Sequence, residues 1–86
     1  MAMAAEILHD QRNSLTDGAY TRLLRALGKR GATIGDEVLL RMGVRELASQ
    51  NDLLTFANHL IGLGGSVESV GRALKVSALL RGAVES

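Results

Sequence analysis

The stretch from Asn51 to Gly65, reading NDLLTFANHLIGLGG, limits the fold more than any other part of the chain. Leu53, Leu54, Phe56, Ala57, Leu60, Ile61 and Leu63 recur at helical spacing and fill one half of a helix, leaving Thr55, Asn58 and His59 on the other half. A helix divided in this way must lay its dry half against other elements. Asn51 is placed to cap its start, and Asp52 suits the positive end of the macrodipole. Gly64 and Gly65 offer the left-handed backbone that closes a helix with little strain.

The remainder of the chain is compatible with helices throughout. No proline occurs among the 86 residues, so ten glycines are the only hard punctuation. Hydrophobic residues make up 47% of the chain but include one Phe, one Tyr and no Trp, which gives a core of Leu, Val, Ile and Ala. These features predict an all-α fold, a compact bundle of four to five short helices forming one domain over residues 1–86. A chain of this size has little margin of stability by itself. With no Cys it has neither disulfides nor thiolate metal ligands to help, so stability must come from helix packing, from self-association, or from both.

Several start and stop signals divide the chain. Residues 4–13, with Ile7 and Leu8 among polar neighbours, predict a short N-terminal helix or a frayed end. Ser14 or Thr16 is expected to cap a helix over Leu15 to Leu27, whose Ala19, Tyr20, Leu23, Leu24 and Leu27 share one side. Gly28 and Gly31 bracket Lys29 and Arg30, which reads as a helix ending with cations in its last turn. A second start signal at Thr33 to Asp36 opens a segment running to about Gln50. Its apolar residues, Ile34, Val38, Leu39, Leu40, Met42, Val44 and Leu47, do not gather on one face. Either Gly43 breaks it into two pieces, or one helix is covered on several sides, or a strand runs through Glu37 to Val44. Glu37 and Arg41 are spaced to pair across one turn. The last segment opens at Ser66, with Glu68 in its first turn and a broad apolar face of Val70, Ala73, Leu74, Val76, Leu80 and Val84; Leu79 falls on its polar side.

The chemistry-bearing constellations are few. Arg22, Arg25 and Lys29 form a basic stripe with Arg30 beside it, suited to phosphates, to an acidic partner surface, or simply to solvent. No aromatic residues interleave it, so stacking on single-stranded bases has no support. Net charge is only +1. The glycine-rich turn Gly62 to Ser66 follows a helix rather than a strand and carries no lysine, so it reads as an interhelical turn rather than a phosphate loop. Residues 66–84 have the rhythm of a helix-turn-helix DNA-binding motif, with a first helix to Leu74, a turn at Lys75 and Val76, and a second helix capped by Ser77. Lys75 stands where that turn usually has glycine, and Arg81 where an apolar contact is expected. One unbroken helix accommodates the same residues.

Neither His9 nor His59 has a second ligand-type residue one turn on, and no nucleophile motif or carboxylate stranded in an apolar run is present. No metal, cofactor or catalytic residue is expected, and the chain reads as a non-enzyme. It shows no basic leader before an apolar run, and its longest uncharged run, Leu53 to Val67, is too short and too polar to span a membrane, which predicts a cytoplasmic protein.

What remains is an excess of apolar surface. The expected function is a protein-protein interaction module, a regulatory, adaptor or assembly subunit that pairs with itself as a homodimer or with another protein. Leu39, Leu40, Val44, Leu47, Leu79 and Val84 are its candidate interface residues. The alternative is a small DNA-binding regulator using residues 66–84. Arg22, Arg25, Lys29, Arg30, Arg72, Lys75 and Arg81 are the candidate contacts to nucleic acid or to an acidic partner.

Overall fold

The computed structural model describes residues 13–84. They form four helices: α1 over Ser14–Leu27, α2 over Lys29–Met42, α3 over Gln50–Leu63 and α4 over Gly65–Leu80. Among the described residues there is no strand, and none of the helices is long and apolar enough to cross a membrane. The short helix expected over residues 4–13 lies, apart from Asn13, outside the described residues, as does His9.

The helices pair as two hairpins, each closed by a single residue. Gly28 (φ 65°) separates α1 from α2, and Gly64 (φ 72°) separates α3 from α4, followed by Gly65 (φ 59°). Positive φ is a backbone state in which only glycine avoids a Cβ clash, so these residues permit near-immediate reversal of the chain. The core is continuous across both hairpins, with Leu23, Phe56, Ala57, Leu60 and Ala78 fully buried at its centre.

Glycines inside the helices set how closely each pair packs. A Cβ at Gly31 would stand 2.4 Å from the carbonyl oxygen of Leu23, and one at Gly35 would stand 2.8 Å from the ring of Tyr20. The stripe Gly31, Gly35, Val38, Leu39 is therefore the buried face of α2, at regular helical spacing. In the second hairpin a Cβ at Gly71 would lie 2.8 Å from the carbonyl oxygen of Ala57. The buried face of α4 is Val67, Val70, Gly71, Leu74 and Ala78.

Helix ends differ from the sequence-based expectation in instructive ways. Asn13, not Ser14 or Thr16, caps α1: its Oδ1 accepts from the Thr16 amide at 2.8 Å. Ser49 caps α3 in place of Asn51, accepting from the Asp52 amide at 3.2 Å, while the Asp52 carboxylate accepts from the Ala48 amide at 2.8 Å. α4 starts at Gly65 with Gly64 before it, so Ser66 is not its cap. α2 begins at Lys29, four residues before its expected start signal. Lys29 and Arg30 thus occupy the first turn of α2 rather than the last turn of α1, at the positive end of the helix dipole. Gly43 does end α2, in the left-handed conformation (φ 74°, ψ 27°). The amides of Gly43 and Val44 return to the carbonyls of Leu40 and Leu39 at 3.0 and 3.1 Å. Glu37 to Val44 contains no strand, and the ion pair formed across one helical turn is Glu68 with Arg72, at 2.8 Å from Nε, rather than Glu37 with Arg41.

The connection from Gly43 to Ser49 is fastened to the start of α1. The buried hydroxyl of Thr16 accepts from the Leu47 amide at 2.8 Å, Asn13 Nδ2 donates to the Leu47 carbonyl at 2.9 Å, and the Asn13 amide donates to Glu46 Oε1. These bonds satisfy the polar backbone around a leucine that is itself only 1% exposed. At the other end, Asn51 Oδ1 accepts from the Val84 amide at 2.9 Å and holds the chain after α4 against the start of α3.

Candidate functional site

Two surfaces bring together residues of interest. The first is the outward face of α4 over its last turn and a half, continuing into the chain beyond it. Val76 (56% exposed), Leu79 (40%), Leu80 (82%) and Val84 (72%) are all uncovered. With Val67, Gly71, Leu74 and Ala78 directed inward, helical geometry places Val76, Leu79 and Leu80 on the opposite side. The first half of that outward face is polar, carrying Ser69 and the Glu68–Arg72 pair. The helix thus changes character along its solvent side, from charged to apolar.

The candidate interface residues divide accordingly. Leu79 and Val84 lie on this surface. Leu40 is 80% exposed but stands at the end of α2, and Val44 is half-buried against the core. Leu39 and Leu47 are buried and leave the set: Leu39 follows Gly31 and Gly35 onto the dry face of α2, and Leu47 is drawn inward by Thr16 and Asn13. Val76 and Leu80, assigned from the sequence to the buried side, belong to the exposed set instead. Counting Gly71 and Ala78 as packing residues would have turned the assigned face of α4 by enough to reveal them.

The second surface is a groove between α1 and α4, made of two adjoining hollows that share Gly18 and Arg22. One, of about 330 Å³, is bounded by Ser14, Leu15, Gly18, Ala19 and Arg22 of α1, by Leu74, Ser77 and Arg81 at the end of α4, and by Gln50 and Leu53 of α3. The other, of about 660 Å³, lies between Thr21, Arg22, Arg25 and Ala26 of α1 and Ser69, Val70 and Ala73 of α4. The order of these contacts shows that α1 and α4 run antiparallel. The walls mix small and hydroxylated residues with Leu15, Leu53, Val70 and Leu74, and the charged residues among them are all arginines.

The basic residues therefore do not act as one stripe. Arg22, Arg25 and Arg81 border the groove. Arg72 is paired with Glu68 on α4, where Lys75 is half-buried, and Lys29 and Arg30 are exposed at the start of α2. No sequence periodicity links Arg22 with Arg81; only the packing of α4 on α1 does. The helix-turn-helix arrangement is absent, because α4 continues through Lys75 and Val76 to Leu80 without a turn. The glycine-rich stretch at Gly62 to Ser66 is the interhelical turn. Among the described residues no group of three or more His, Cys, Asp or Glu could hold a metal ion.

The chain matches no protein-family model, no curated protein and no solved structure.

Proposed function

We propose that this protein is a small non-enzymatic interaction module, a regulatory, adaptor or assembly subunit, that pairs with a second copy of itself through the outward face of α4. The observation that supports this reading is the exposed apolar set Val76, Leu79 and Leu80 on a helix whose opposite face is already buried in the core, with Val84 exposed beyond its end. A symmetric dimer buries the same patch on both copies and so disposes of the surface in a single contact, the commonest solution among oligomers. It also adds buried area to a chain too short to hold a large core by itself.

Sedimentation equilibrium from micromolar to millimolar concentration tests the pairing. The expected result is a dimer whose dissociation is shifted strongly by Leu80→Glu combined with Leu79→Glu, with helicity unchanged because both side chains are exposed. A strict monomer at the highest concentration, or a dimer indifferent to both substitutions, overturns the assignment.

A further inference from the structure

We infer that the α1–α4 groove is a docking site for an acidic peptide segment of another protein, a surface separate from the self-association face. Charge complementarity selects the partner. Arg22, Arg25 and Arg81 border the groove, no carboxylate among the described residues lines it, and none of the three arginines is in an ion pair with a described residue. A second copy of this chain, with net charge +1, has no excess of acid to offer.

Gly18 supplies a second and independent observation. Of the helical glycines, Gly31, Gly35 and Gly71 are each required by a close approach, with a Cβ falling within 2.4 to 2.8 Å of a neighbouring atom, whereas Gly62, near the end of α3, meets nothing within 4 Å. Gly18, in the middle of α1, meets nothing within 4 Å and has no positive φ, so neither packing nor backbone conformation requires it. It stands where the two hollows join. A side chain there would project into open space at that junction.

The length of the groove suits an extended peptide. The groove runs along α1 from Ser14 to Ala26, roughly 18 Å at the helical rise, enough for several residues of extended chain. Arg22 and Arg25 are one turn apart on one wall and Arg81 is on the other, so an occupant with carboxylates at both edges meets all three.

Fluorescence anisotropy with a labelled, end-capped peptide of glutamate, alanine and leucine tests the assignment. The controls are the same peptide with lysine replacing glutamate and a short duplex DNA. The expected outcome is saturable binding of the glutamate peptide alone, weakened roughly tenfold by Arg22→Glu with Arg81→Glu and weakened by added salt. Gly18→Leu, which fills the junction without touching an arginine, should weaken binding to a similar extent while leaving the helical circular dichroism intact. It keeps the test decisive if the double arginine variant folds poorly. Equal binding of the lysine peptide, preference for duplex DNA, absence of saturation, or full binding by Gly18→Leu each overturns the inference.

Discussion

At the scale of single residues, the glycines of this chain perform three different tasks that look identical in the sequence. Gly28, Gly43 and Gly64 reverse or end helices with a positive φ. Gly31, Gly35 and Gly71 admit a neighbouring backbone or ring, and Gly18 faces open space where the two hollows join. Opposite responses to the same substitution follow. Gly18→Ala gains helix propensity without a clash and should stabilise the protein by about 0.5–1 kcal/mol, raising the thermal midpoint by a few degrees. Gly31→Ala drives a methyl group into the Leu23 carbonyl and should destabilise by about 1–3 kcal/mol, because a backbone atom cannot swing aside. Thermal unfolding of the two variants beside the parent checks both signs at once.

At the scale of elements, α2 is the helix whose local sequence agrees least with its position. Its first turn holds Lys29 and Arg30, no acidic residue and no side-chain cap. Cations there oppose the macrodipole, so Lys29→Glu should stabilise α2 by about 0.3–1 kcal/mol, more in dilute buffer than in high salt. Chemical denaturation at two salt concentrations measures the effect. The same helix shows where the sequence was hard to read. The all-helical architecture followed from the absence of proline and from the clean face of α3, which the structure reproduces from Leu53 to Leu60. The apolar residues of α2 mark no single face because Gly31 and Gly35, which have no side chain to count, are half of its buried stripe. The same effect hides Val76 and Leu80 on α4, through Gly71. Arg22 and Arg25 were legible as neighbours on one helix; their meeting with Arg81 depends on which helices pair across the bundle, and no local pattern encodes that.

At the scale of the whole molecule, two tight hairpins share one core, and the segment between them is held by a small number of polar bonds. Thr16 is the buried residue among them. Thr16→Val keeps the shape of the side chain but strands the Leu47 amide, and it should lower stability by about 1–3 kcal/mol. Amide hydrogen exchange should show the loss first around Leu47 and the start of α1, with the interior of α3 and α4 still protected, since those helices pack most extensively on each other. A uniform loss of protection would mean that the hairpins do not open separately. The placement of the groove adds a further point. Its walls come from the first and the last of the four helices, so on the ribosome it cannot exist until α4 has been synthesised and has folded back across α1. A chain interrupted before Ser69 would lack the α4 wall of both hollows, and whatever recognises the groove therefore requires α4 to be in place against α1.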